Sequence, residues 1–484
     1  MNDPSAANPL DRIFNARSVA FVGASNNATT MGTIQMLNTL KSIFAGPVIP
    51  IHPKADEVLG QKAYPSLRDL PEPVDLAVLI VPTKAVIPVV EDAIARGIKH
   101  LVITTAGFRE VDDEGRRDEE HLVKLCREHD LRFVGPNCIG VLNAHSGLNT
   151  TFFPYRHQAG PLGLASQSGT YVTQTLDLLA RWGIGLSKGI SIGNAANIDL
   201  ADALDFFAED EQTRAVAMYI EGVRDGRRFF EAARRCAAIK PVVALYVGGT
   251  QSGARSGASH TGALAGPDAL YEGLLRQAGV IRARSVADLF QWGWALATQP
   301  VPEGRRMAIL THSGGPATSM ADAVERTGMS LPRLSESLQK KIRELIPHTG
   351  SATNPIDLTF NLDPKLLNQT LPEMLLESGE VDGLLMHGLQ GSSFFEGIRE
   401  LAGDLVDLDV EQLTSFTSYM AQPLFDMAQR LGKPIVMSAF YDRQDNVIRA
   451  LQDHQVPVFD MPERAVEAMA ALVRYGELRK RTAS

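Results

Sequence analysis

Cysteine is scarce in this chain: Cys126, Cys138 and Cys236 are the three in 484 residues. They lie far apart without metal-ligand spacing, which offers no disulfide framework and fits a reducing cytoplasm. Long apolar runs are missing as well. No stretch approaches the ~18–20 apolar residues of a membrane span. The polar opening from Met1 to Leu10 lacks the apolar core of a signal peptide. Nor is there an excess of positive charge, since 47 Lys and Arg face 56 Asp and Glu, for a net charge of −9. Nucleic acids and anionic membranes need a basic face, so neither is expected as a partner. Short-period repeats and low-complexity tracts are absent. What remains is a soluble, cytoplasmic expectation with an ordinary globular balance of 44% apolar and 21% charged residues.

The length allows about three domains, because single cores stop growing near ~250–300 residues. Short apolar runs alternate with amphipathic stretches, which predicts an α/β fold with parallel sheets and crossover helices. Strands are expected at Ser18–Val22, Val48–Ile51, Asp75–Val81, Leu101–Thr104 and Arg132–Val134. A helix is expected from about Thr33, and another over Lys84–Arg96 that stops at Gly97. This is a Rossmann-like domain of roughly 150 residues. After the loose segment Thr150–Pro161 the pattern restarts with Gly163–Ala165, the turn Ser166-Gln167-Ser168-Gly169 and a helix around Val172–Arg181. Ala215–Tyr219 and Val242–Tyr246 are further strands leading into Gly-rich loops. Beyond the linker Thr298–Arg306 it restarts again with Met307–Leu310 and Thr311-His312-Ser313-Gly314-Gly315. Three restarts predict three α/β domains.

Ligands of open parallel sheets bind beyond the carboxyl ends of the strands, where helix N-termini suit phosphate. The first such turn, Gly23-Ala24-Ser25 with Gly32 later, is not a G-x-G-x-x-G fingerprint. The second strand ends in His52-Pro53-Lys54, where an NAD site would carry an acidic residue. Lys54 is either a solvated loop residue or the partner of an extra ribose phosphate, as in CoA or NADP. Asn137 and Cys138 follow the fifth strand; the thiol has no paired base nearby in sequence and reads as packing, while Asn137 either contacts ligand or holds the turn. Ser166, Ser168 and Gly169 could cradle an anion, although serine is also an ordinary N-cap. His260 differs, as the one large titratable side chain in the small-residue run from Gly257 to Gly266. A neutral imidazole can attack a phosphoryl group, and its pKa lies near working pH. Glu221, at the end of the strand Val216–Ile220, is either the group that orients His260 or a solvated strand-end carboxylate.

In order, these loops are Val-Gly-Ala-Ser (22–25), His-Pro-Lys (52–54), Ala-Gly-Phe-Arg-Glu (106–110), Gly-Pro-Asn-Cys-Ile-Gly (135–140), Ser-Gln-Ser-Gly (166–169), Tyr-Ile-Glu-Gly (219–222), Ser-His-Thr-Gly-Ala-Leu-Ala-Gly (259–266) and Asn-Pro-Ile-Asp (354–357). Their joint order resembles the alpha subunit of NDP-forming acyl-CoA synthetases such as ADP-forming acetyl-CoA synthetase, relatives of succinyl-CoA synthetase. The resemblance covers nearly the whole chain. It implies a CoA-binding Rossmann-like domain over 1–150, a succinyl-CoA-synthetase-like flavodoxin domain over 151–299 and a flavodoxin-like ligase domain over 300–484. It further implies that Gly23, Ala24, Ser25, Lys54 and Asn137 bind coenzyme A, that Ser166, Ser168 and Gly169 hold phosphate, and that His260 becomes phosphorylated with Glu221 in support. The expected reaction interconverts acyl-CoA, NDP and phosphate with a carboxylic acid, CoA and NTP through an acyl phosphate. No protein metal site is expected.

Two departures from the family pattern stand out. No ATP-grasp domain is recognisable, so the resemblance implies a separate ATP-grasp beta subunit in a heterotetramer, with Mg²⁺ and ADP/ATP or GDP/GTP at the partner's site. Thr311-His312-Ser313 also stands where relatives commonly have a smaller or amide-bearing pair. Two rivals stay open: a non-catalytic regulatory protein that binds CoA or acyl-CoA, and an NADP-binding oxidoreductase. The first would need only the first domain, and the second lacks its fingerprint.

Overall fold

A computed structural model describes residues 8–253 and 266–483, apart from 360, 362, 389, 390, 406, 408 and 422. The chain divides into two compact units: Met1–Ala180 with Gly185–Leu289, and Arg181–Ile184 with Phe290–Ser484.

The first unit holds two main sheets, besides a two-stranded antiparallel ribbon of Glu57–Val58 and Gln61–Lys62. One has the strand order Val48–Ile51, Val19–Val22, Leu76–Leu79, His100–Ile103, Arg132–Val134, all parallel. Its central strands are buried on both faces, as their unbroken apolar runs require. The helix Thr83–Arg96 ends on Gly97 at φ +83°, the left-handed stop that its sequence predicts. The second sheet runs Ile281–Arg282, Val242–Tyr246, Ala215–Ile220, Leu162–Ser166, Leu186–Ser191, and then the antiparallel pair Val141–Asn143 and Leu148–Asn149. That pair precedes the expected boundary at 150 yet hydrogen-bonds into the second sheet. The strand Leu186–Ser191 escaped the sequence reading because Lys188 and Gly189 interrupt its apolar pattern. Lys188 is 1% exposed and reaches Asp210 at 2.7 Å and Gln212 at 2.7 Å.

One core joins the two sheets. The short helix Pro9–Phe14, to which the sequence reading assigned nothing, packs the Phe14 ring on Phe206 and Phe207 at 5.0 and 6.2 Å between ring centres. Its Leu10, Ile13 and Phe14 are fully buried, and each contributes about 1.5–3 kcal/mol of transfer free energy.

The second unit carries a parallel sheet in the order Ile356–Asp357, Met307–Thr311, Gly383–His387, Ile435–Ser438, Val458–Phe459. Counted along the chain, the parallel strands of the three large sheets follow the order 2-1-3-4-5. In that order the crevice for a ligand opens between the first and third strands, where the connections diverge to opposite faces. Topology thus names the loops that matter: those after Val22 and Leu79, after Ser166 and Ile220, and after Thr311 and His387.

Candidate active site

At the first crevice Gly23 takes φ +106°, and a Cβ there would stand 2.0 Å from the Ile80 carbonyl oxygen. A Cβ on Gly32 would lie 2.7 Å from the Gly23 oxygen. Without the dinucleotide fingerprint, the turn still performs two of its mechanical tasks: close strand approach and close seating of the helix Met31–Leu40. Ser25 is tied into the turn, its N–H donating to Thr33 Oγ1 at 3.0 Å and its carbonyl accepting from Thr33 Oγ1 at 2.9 Å. Ala24 is buried beneath it. Lys54 is exposed at the end of the neighbouring strand, and its backbone N–H donates to His52 Nδ1 at 3.2 Å.

The second crevice is a cleft of about 510 Å³. Asn137, Ser168, Gly169 and Glu221 all line it, with Phe152, Tyr171 and Tyr219 among its walls. Four residues named from sequence therefore converge here, while Gly23, Ala24, Ser25 and Lys54 stand apart on the first sheet. The two places are linked mechanically. Gln35, from the helix Met31–Leu40, donates to the Ile139 carbonyl at 3.2 Å, and Ile139 lies against Gly169. A Cβ on Gly169 would stand 1.9 Å from Ile139 Cγ1, so this glycine is required for room. Ser166 is fully buried, and its hydroxyl donates to the Ser168 carbonyl at 2.6 Å, which folds the turn back on itself. The helix beyond is interrupted into Thr170–Thr173 and Leu176–Arg181, where a single helix was expected. Thr173 and Thr175 hydroxyls donate to carbonyls four residues back, a competition with the backbone that bends helices.

Gln167 is the residue that sequence reasoning passed over. Its Oε1 accepts from the Glu221 and Gly222 N–H groups at 2.7 and 3.0 Å, and its Nε2 donates to the Gly222 carbonyl at 2.9 Å. One buried carboxamide thus clamps the loop that presents Glu221. Burial first, and then the Glu221 charge, push the Tyr219 hydroxyl above its ordinary range. Cys138 is buried with its thiol donating to the Ile103 carbonyl at 3.3 Å, and burial pushes it up to about 12. It packs, as expected.

His260 lies outside the described residues. The described chain reaches Gly253, which lines the cleft, and resumes at Gly266, whose carbonyl accepts from the Tyr246 hydroxyl at 2.7 Å. The third crevice repeats the construction of the second: Thr311 Oγ1 donates to the Ser313 carbonyl at 3.1 Å, ahead of the helix Gly314–Arg326.

Three family models match the chain in sequence. They are a CoA binding domain over 17–144, a succinyl-CoA ligase like flavodoxin domain over 159–296 and a ligase-CoA domain over 307–388. The chain is 34% identical over 448 residues to the alpha subunit of the ADP-forming acetate–CoA ligase II of Pyrococcus furiosus, across 91% of this chain and 96% of that one. The chain belongs to the family of ADP-forming acyl-CoA synthetases. Another member, the ADP-forming 4-hydroxybutyrate–CoA ligase of Nitrosopumilus maritimus, is 32% identical across 96% of this chain but only 64% of its own length. Among solved members, the dinucleotide-forming acetyl-coenzyme A synthetase 1 of Ca. Korarchaeum cryptofilum, in complex with phosphate and ADP, superposes with a TM-score of 0.84. It is 33% identical and covers 100% of this chain and 99% of that one. The Rossmann-like domain followed by flavodoxin-like sheets, expected from sequence, is the architecture of this family.

Proposed function

We propose that this chain is the subunit of an NDP-forming acyl-CoA synthetase that handles coenzyme A and carries the phosphoryl group on His260. The supporting observation is the cleft at the second crevice, where Asn137, Ser168, Gly169 and Glu221 meet together with Gly253, seven residues before this histidine in sequence. Coenzyme A would lie along the first crevice, with its ribose phosphate toward Lys54 and its thiol end reaching the cleft near Asn137. Phosphate attacks the thioester carbonyl of acyl-CoA, the C–S bond breaks, and CoA leaves as the thiol with an acyl phosphate behind. The imidazole nitrogen of His260 then displaces the carboxylate at phosphorus, and Glu221 balances the charge. Phosphoryl transfer asks chiefly for positioning and charge compensation. A turn shaped by Ser166 and kept free of side chain at Gly169 fits that demand.

The phosphoryl group passes next to a nucleoside diphosphate. The Pyrococcus relative is named as an alpha subunit, which supports a separate beta subunit with the nucleotide and Mg²⁺, assembled with this chain as a heterotetramer. Among the described residues no helix is long and apolar enough to cross a membrane, and a cytoplasmic setting suits three buried thiols.

The test is labelling. The chain, alone and with a co-expressed ATP-grasp subunit, is incubated with radiolabelled phosphate, Mg²⁺ and a panel of acyl-CoAs beside His260→Ala. Protein-bound label that is acid-labile, alkali-stable and absent from the variant is expected, and its yield ranks the acyl groups. Equal labelling of both proteins, or none in the complex, overturns the proposal.

A further inference from the structure

Asn194 is 3% exposed and sits in the loop that follows the strand Leu186–Ser191. Its side-chain nitrogen donates to two carboxylates at once, to Glu110 Oε2 at 2.6 Å and Glu119 Oε2 at 2.8 Å. A carboxamide nitrogen only donates, and a carboxamide oxygen only accepts. Turned over, Asn194 would set its oxygen against two carboxylate oxygens. Chemistry therefore decides its orientation. Burial pushes the Glu119 carboxyl above its ordinary range, against the opposing pull of the Asn194 hydrogen bond and of Arg109 and Arg224 at 3.5 and 3.4 Å. Glu110 is held by the Gly107 and Phe108 N–H groups at 2.6 and 3.2 Å.

The consequence reaches the cleft. Asn194 Oδ1 has to accept, and its donor is Asn137 Nδ2 at 3.2 Å. With its nitrogen engaged inward, Asn137 keeps its oxygen for the cleft that it lines. Among the described residues no hydrogen bond ends on Asn137 Oδ1. We infer that Asn194 is a positioning residue: it turns the Asn137 carboxamide so that an acceptor oxygen faces the ligand and selects a hydrogen-bond donor. This inference rests on the proposed function, whose two ligands differ in the property being selected. Phosphate and acyl phosphate present mainly oxygens, which a carbonyl repels. The end of coenzyme A presents donors, either the thiol S–H or the pantetheine amide N–H groups. Asn137 thus marks the coenzyme side of the cleft, and the Ser166–Gly169 turn the phosphate side.

The test compares Asn194→Ala, Asn137→Gly and the double variant in the assembled complex, in the thioester-forming direction and its reverse. Glycine suits position 137 because Asn137 has φ +56°. Expected is a rise in KM for CoA of about tenfold in each single variant, with KM for phosphate changed less than about twofold. The double variant is expected to be no worse than the worse single one, because both remove the same hydrogen bond. Calorimetry with CoA and desulfo-CoA identifies the donor. A loss for CoA alone assigns the thiol, and an equal loss for both assigns the amides. Parallel rises in both KM values, or additive effects, overturn the positioning role. Should Asn194→Ala not fold, the CoA-against-phosphate split in Asn137→Gly decides. A wild-type complex without CoA-dependent turnover overturns the proposed function as well, which separates the two failures.

Discussion

His387 ends the third strand of the second unit, 4% exposed, with Nδ1 at 2.8 Å from Ser438 Oγ and its ring edge-on to Phe440. Burial first, and then neighbouring His312, lower its pKa from 6.5 to about 4, against a small opposing pull from Glu463. Because the folded value lies below the unfolded one, the unfolded chain takes up the proton first. Stability is therefore full above about pH 6.5 and is lost as the pH falls toward 4. From these two values the loss is about 2 kcal/mol at about pH 5, and its limit below pH 4 is about 3 kcal/mol. The assay is built into the chain. Its three tryptophans, Trp182, Trp292 and Trp294, belong to the same compact unit as His387. Urea unfolding followed by tryptophan emission, at about pH 7.5 and about pH 5, is compared between wild type and His387→Asn, whose amide can still meet Ser438. Wild type should lose about 2 kcal/mol more than the variant over this interval. Equal losses would refute the reasoning, whatever the variant's absolute stability.

Gly169→Ala keeps an ordinary helical φ but places a methyl 1.9 Å from Ile139 Cγ1. Overpacking of this kind should cost about 1–3 kcal/mol, seen in thermal melts and largely relieved by adding Ile139→Ala. Gln167→Leu strands the Glu221 N–H and both backbone groups of Gly222. Unsatisfied buried groups cost about 1–3 kcal/mol each, so a lower urea midpoint should accompany loss of kcat as Glu221 loses its support. The three cysteines are all buried, and burial pushes each thiol up to about 12. A chromogenic disulfide reagent near neutral pH should find no fast-reacting thiol in the native chain and all three in urea.

The strand–turn–helix units were legible in the sequence because they rest on local rules. Val48–Ile51 and Arg132–Val134 occur with the expected bounds, and Gly97 stops its helix as glycine does wherever a left-handed residue is required. Gly23, Ser168, Gly169 and Glu221 were legible as turn residues, since each lies in the loop that follows a strand. Tertiary structure decided the rest. The strand order set the Ser166 turn beside the Glu221 loop, and it carried Val141–Asn149 onto the second sheet although nothing in that hairpin's own pattern says so. The cluster around Asn194 joins Glu110 and Glu119 from 84 and 75 residues away. Apolar periodicity is written into neighbouring residues, whereas a buried amide takes the partners that packing delivers. Sequence therefore determined which loops could carry chemistry, and the folded chain decided which of their side chains meet.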